Sequence, residues 1–167
     1  MLLPMLALGC VGAHDGTYLL TLTLRESTEE SEQDNYGDTV NFTSNLYTTS
    51  AGNTFMPITE FALMGTIAGS AMQLEWRSGS SRDVGSCNYA QETTAQLDVE
   101  FNSDHGFEGD FDYEQLSGTT NCDDEDDEET DRYAANYDVE AIWLDAAHDA
   151  HAIEGPNWGY IGGGGYY

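Results

Sequence analysis

The sequence predicts an all-β protein: an antiparallel meander of about six to eight strands that closes into a small barrel or a sandwich, with a short C-terminal helix and a Gly/Tyr tail. Three observations carry this. Three segments between residues 95 and 143 alternate strictly between apolar or aromatic residues and polar, mostly acidic ones. Turn-forming sequences separate most of the apolar segments. Helix-forming composition is confined to the end of the chain, where LDAAHDAHAI precedes Gly155-Pro156.

The alternation is explicit. Ala95, Leu97, Val99 and Phe101 oppose Gln96, Asp98 and Glu100. Phe107, Gly109, Phe111 and Tyr113 oppose Glu108, Asp110, Asp112 and Glu114. Tyr133, Ala135, Tyr137, Val139, Ala141 and Trp143 oppose Ala134, Asn136, Asp138, Glu140 and Ile142. A period of two means strands with one buried and one wet face.

Taken in order, the chain opens with an apolar segment, residues 1–13. A first strand follows over 17–24, with Tyr18, Leu20, Leu22 and Leu24 on one face. Residues 26–38 are polar and acidic, and read as a mobile loop. A second strand spans 39–48, and Ser50-Ala51-Gly52-Asn53 reads as a turn. Residues 55–64 are apolar but contain Pro57, so they form an edge strand or an irregular crossing. Residues 67–77 form another strand with Met72, Leu74 and Trp76 facing in, and 78–86 a Ser/Gly-rich loop. Asn102-Ser103-Asp104-His105-Gly106 turns the first alternating hairpin, with Gly106 free to take a positive φ. Residues 121–131 link the last two strands. The β domain is thus 14–144, and 145–167 are helix and tail. Sequential hairpins favour a barrel over a sandwich, and the general shape resembles lipocalin-like and other small up-and-down barrels. Large inward aromatics (Phe101, Phe111, Tyr113, Tyr137, Trp143) point to a filled interior rather than a ligand cavity.

The chain has 167 residues and a net charge of −27. Its basic residues are Arg25, Arg77, Arg82 and Arg132. No cationic face can replace counterions on phosphates, so nucleic acid is excluded as a partner, and so is direct binding to an anionic membrane surface. Such charge strains the compact state unless salt or divalent cations screen it.

Leu6-Ala7-Leu8-Gly9-Cys10 resembles the end of a bacterial lipoprotein signal peptide. The resemblance implies lipidation of Cys10 after cleavage, and a membrane contact made only through that anchor. The alternative is an ordinary buried first strand. With Cys10 set aside, Cys87 and Cys122 remain; they bracket the first alternating hairpin at one end of the sheet, within reach of a disulfide. A disulfide implies an oxidising compartment, hence export to the envelope or beyond.

Across neighbouring strands Asp98, Glu100, Glu108, Asp110, Asp112, Glu114, Asp138 and Glu140 share an outer face. Asp98, Glu100, Glu108, Asp110 and Asp138 are the candidate ligands for weak, multiple binding of Ca²⁺, which takes six to eight oxygens; the alternative is a salt-screened acidic surface. The acid run from Asp123 to Asp131 is not an EF-hand loop, because Glu128 stands where the turn needs glycine. His148 and His151, with Asp145 and Asp149, have helical metal-ligand spacing but no third strong ligand. His14 and His105 read as loop residues. No catalytic motif is present, and no acid pair stands out from the acidic background. The expectation is an exported, acidic, non-enzymatic surface or structural protein, lipid-anchored and without a cofactor beyond weak Ca²⁺. The alternative is a subunit of an extracellular fibre that self-associates by strand exchange.

Overall fold

The computed structural model describes residues 13–102, 105–120, 122 and 129–145. Within them the alternation becomes eight strands: β1 (Gly16–Ser27), β2 (Thr39–Thr48), β3 (Thr54–Ile58), β4 (Phe61–Ala68), β5 (Ala71–Val84), β6 (Cys87–Phe101), β7 (Phe107–Thr120) and β8 (Glu129–Asp145). Each pairs antiparallel with its sequence neighbour, and β1 also pairs with β8. The meander therefore closes as an up-and-down barrel, which within the barrel removes the sheet edges a sandwich would keep.

Closure is driven by the inward parity. Tyr18, Leu20, Leu22, Phe42, Leu46, Met56, Leu63, Met72, Leu74, Leu97, Val99, Phe107, Phe111 and Val139 are all buried and form one cluster. These side chains occupy the space where a larger barrel would hold a ligand. One close backbone approach lies at Gly109: a Cβ there would stand 2.2 Å from the Asp98 carbonyl oxygen and 2.7 Å from Val99 Cα. Only glycine lets β7 lie this close to β6.

The weakest seam joins β2 and β3, which share two register pairs, Tyr47 with Phe55 and Thr48 with Thr54. Pro57 has no N–H to offer a ladder. The Ser44 hydroxyl donates instead to the Pro57 carbonyl. A crevice of about 120 Å³ at this seam is lined by Asn45, Tyr47, Phe55 and Pro57, among others.

Several boundaries differ from the sequence expectation. The segments 55–64 and 67–77 are redivided: Thr59, at φ 53°, turns β3 into β4, and Gly69, at φ 67°, turns β4 into β5. Residues 78–84 are strand rather than loop, because β6 supplies register partners from Thr93 to Cys87 whatever the side-chain propensity. The turn is confined to the residues around Gly85, at φ 64°. In the 102–106 turn the positive φ falls on His105 (63°), not Gly106. Gly106 is instead crowded, with the Ala141 carbonyl oxygen 2.5 Å from where a Cβ would sit. The acidic segment 26–38 is structured in part. It holds a 3-10 turn, Glu30–Asn35, and Tyr36 Oη donates to the Ser27 carbonyl at 3.1 Å. Leu144 and Asp145 continue β8 instead of starting a helix, since Asp145 pairs with Thr17; the rest of that helix, His148, His151 and the tail lie outside the described residues.

Both mouths of the barrel carry aromatic rings. At one, His14 stacks on Phe101 at 3.8 Å between centroids, Phe101 meets Phe107 at 5.5 Å, and His105 meets Trp143 at 5.9 Å. Trp143 does not fill the interior as its parity implies. A register shift between Thr17 and Tyr18 falls where β8 leaves the barrel, and the ring stands 37% exposed at the rim. Phe101 and Tyr113 are likewise only half-buried, because they close the ends. At the other mouth Phe61 bridges Trp76 (4.8 Å) and Tyr113 (5.6 Å), and Tyr113 meets Tyr133 (5.6 Å).

Beyond this second mouth β5 to β8 continue as a four-stranded sheet. The β4–β5 ladder stops at Met64 and Glu75, and the β1–β8 ladder at Ser27 and Ala135. The β5–β6 ladder runs on to Val84 and Cys87. At 3.4 Å per residue the sheet projects roughly 25 Å from the barrel. Cys87 and Cys122 are bonded at its tip, with Cα atoms 4.0 Å apart.

Candidate functional site

The candidate site is the outer face of β6, β7 and β8. Register decides its character. Asp98, Asp110 and Asp138 stand in one cross-strand row, and Glu100, Glu108 and Glu140 in the next. Alternation alone puts these acids outside; the pairing puts them directly opposite one another, where like charges destabilise a sheet.

The aspartate row is partly compensated. A register shift between Leu24 and Glu26 lets Arg25 lean over β8. Its Nη1 donates to Asp110 Oδ1 at 2.7 Å and to Asp138 Oδ1 at 3.1 Å. These contacts, the Asp110 hydrogen bond first, hold the guanidinium above its ordinary value against desolvation. Asp98, at the far end of the row, accepts a hydrogen bond from Gln96 Nε2 through Oδ2. Its Oδ1 is shielded from solvent and has no hydrogen-bond partner among the described residues. The glutamate row carries no ion pair among the described residues. Further along, Asp112 accepts from Asn136 Nδ2, and Glu114 pairs with Arg132.

The structure thus brings Asp98, Glu100, Glu108, Asp110 and Asp138 onto one face, but as flat rows. Among the described residues no three His, Cys, Asp or Glu side chains converge as a metal site would require. Flat rows offer carboxylates from one side of the sheet, whereas Ca²⁺ takes six to eight oxygens. Cys10 and residues 123–128 lie outside the described residues, while Glu129 and Asp131 belong to β8.

Elsewhere the buried polar groups are structural. Asn45 accepts from Thr17 Oγ1 at 2.6 Å, and Thr54 Oγ1 shares a hydrogen bond with Thr48 Oγ1. Burial pushes the phenols of Tyr18, Tyr133 and Tyr137 up, so they remain protonated. Sequence reasoning overlooked Arg25 as the counter-charge of the aspartate row. The available signal was a lone cation directly after the inward Leu24 of the first strand. It also overlooked the projecting sheet, having read 78–86 as loop.

Comparison of the chain with protein-family models, with curated proteins and with solved structures yields no match.

Proposed function

We propose that this chain works outside the cytoplasm as a non-enzymatic surface protein, held to a membrane by lipid on Cys10, with its barrel presenting an acidic face to a saline or calcium-bearing solvent. The observation that carries the reading is the Cys87–Cys122 bond at the tip of the projecting sheet. Such bonds persist in oxidising compartments. The filled interior favours a surface role over a carrier role. The outward carboxylate rows argue against a lipid-facing barrel wall, which needs an apolar band; an anchor is then the membrane contact. Divalent cations or salt relieve the repulsion within those rows.

Intact-mass analysis of the native protein tests this in one measurement. The expected result is loss of residues 1–9, acyl mass on Cys10, and the hydrogen deficit of the Cys87–Cys122 bond. A chain that keeps residues 1–9, with Cys10 unmodified and free thiols at Cys87 and Cys122, overturns it. Calorimetric titration with Ca²⁺ tests the solvent reading; no heat and no rise in melting temperature at millimolar Ca²⁺ removes calcium and leaves salt.

A second reading, a fibre subunit that associates through strands, is favoured by one observation. Among the described residues, β5 beyond Glu75 and β8 before Ala134 pair on one side only. These edges can accept strands from another copy. Electron microscopy of the concentrated native protein decides it: filaments support the reading, and monodisperse particles remove it.

A further inference from the structure

We propose that the projecting sheet binds an uncharged polysaccharide on the face continuous with the barrel interior. This inference goes beyond the reading above and does not depend on the anchor or on the acidic rows.

The face is built by register. Trp76, Ala95, Tyr113 and Ala135 form the row at the barrel mouth, Ser78, Thr93, Gln115 and Tyr133 the next, and Ser80, Gln91, Ser117 and Asp131 the third. Inside the barrel this parity is aliphatic and aromatic. Past the mouth the second and third rows carry hydroxyls and amides beside Tyr133 and Asp131, and the fourth row carries Arg82, Tyr89, Thr119 and Glu129; among the described residues Ser78 and Ser80 are exposed and Gln91, Gln115 and Ser117 half-exposed. The mouth contributes a strip of half-buried rings, Trp76, Tyr113 and Tyr133, linked through Phe61. The strip is held in place. Tyr133 Oη donates to Glu32 at 3.1 Å, and Tyr113 Oη donates to Gln115 Oε1 at 3.1 Å.

Aromatic rings beside uncharged donors and acceptors suit a ligand with C–H faces and hydroxyl edges, which is the chemistry of a sugar. A ring contributes both apolar area and a polarised face to such a contact. Charge selects among candidates. In a chain of −27, the first two rows carry no acid of their own; Glu32 reaches their edge at Tyr133, Asp131 sits at the edge of the third, and in the fourth Arg82 and Glu129 stand at opposite edges. The surrounding field repels nucleic acids and acidic polysaccharides, and it opposes a second copy of this equally anionic chain. An uncharged polymer meets neither penalty. Four strands give a face about 14 Å wide. Among the described residues the β5 flank is open beyond Glu75 and the β8 flank is open at Asp131, while Thr28 and Glu32 border β8 as far as Tyr133, so a long chain can run across the outer rows without its ends being enclosed.

Affinity electrophoresis of the full native chain tests this, with dextran, hydroxyethylcellulose and galactomannan in separate gels and alginate as the anionic comparator. The expected result is retardation by at least one uncharged polymer and not by alginate. Tyr133→Ala is expected to weaken that retardation about tenfold, the size of one aromatic contact. Ser80→Glu, at an exposed position that does not support the core, is expected to weaken it as much and keeps the test decisive if Tyr133→Ala fails to fold. Leu116→Ala, on the opposite face of the same sheet, is expected to leave it unchanged. The proposal is overturned if no uncharged polymer retards the chain, if alginate retards it equally, or if Ser80→Glu has no effect. It is likewise overturned if sedimentation shows a dimer that Ser80→Glu dissolves, since the face would then be a contact between copies.

Discussion

Glu108 of β7 stands directly opposite Glu140 of β8, with Glu100 directly opposite on its other side. No ion pair among the described residues relieves this row. A like-charge pair in this position costs a few tenths to about 1 kcal/mol. Glu108→Lys replaces two repulsions with two attractions. The melting temperature is expected to rise by about 2–4 °C at low ionic strength. The gain is expected to shrink near 1 M salt, where the Debye length is about 3 Å. Calorimetry across a salt series measures both; a gain independent of salt would show that the row is not electrostatically strained.

Arg25 joins Asp110 and Asp138 from a strand that is not adjacent to β7. The pairs are exposed, with 45% of the Arg25 side chain open to solvent, so their effect is modest. Arg25→Gln is expected to lower stability by roughly 0.5 kcal/mol at low salt. In an Asp138→Asn background the same change is expected to cost less, because one of the two acids it bridges is gone. Urea denaturation of the four combinations checks the coupling, and additive effects would separate Arg25 from Asp138.

His14 is half-buried against Phe101, and burial, then the neighbouring His105, holds its imidazole below the ordinary 6.5 despite Asp15. The unfolded chain therefore binds more protons than the folded one once pH falls through 6.5. Stability that is present above that pH declines until the lower folded value is reached. His14→Phe keeps the stacked ring and removes the titration. On moving from about pH 7.5 to about 5.5, the native protein is expected to lose melting temperature relative to the variant. Parallel curves for the two proteins would contradict the assignment.

Gly109 has room for no side chain, its missing Cβ lying against the Asp98 carbonyl and Val99. Gly109→Ala is expected to destabilise by about 1–3 kcal/mol, as overpacking does, by forcing β7 away from β6. Gly79→Ala, where the nearest atom to a new Cβ is 3.7 Å away, serves as the control and is expected to be nearly neutral. Chemical denaturation of both variants measures the difference.

Much of this molecule is legible in its residues. The alternation from Ala95 to Val139 sets which side chains face in, and the barrel buries Leu97, Val99, Phe111, Tyr137 and Val139 accordingly. The bracketing positions of Cys87 and Cys122 make the disulfide readable, because an antiparallel hairpin returns the chain to its starting level. Alternation is a local property, and each strand reports it without reference to its partners.

What the residues leave open is the exact register between strands. The residue-by-residue match of β1 to β8, which acids stand directly opposed, and the reach of Arg25 to Asp110 depend on register between segments far apart in sequence. Ser78 to Val84 read as loop, since Ser, Gly and Asp have low strand propensity; the β6 ladder holds them extended and so creates the projecting sheet. Trp143 shares the inward parity of Val139 and Ala141, yet it stands at the rim because the barrel ends there. Side-chain parity follows from the covalent geometry of a single strand, whereas length, closure and neighbour identity follow from the free energy of the whole sheet.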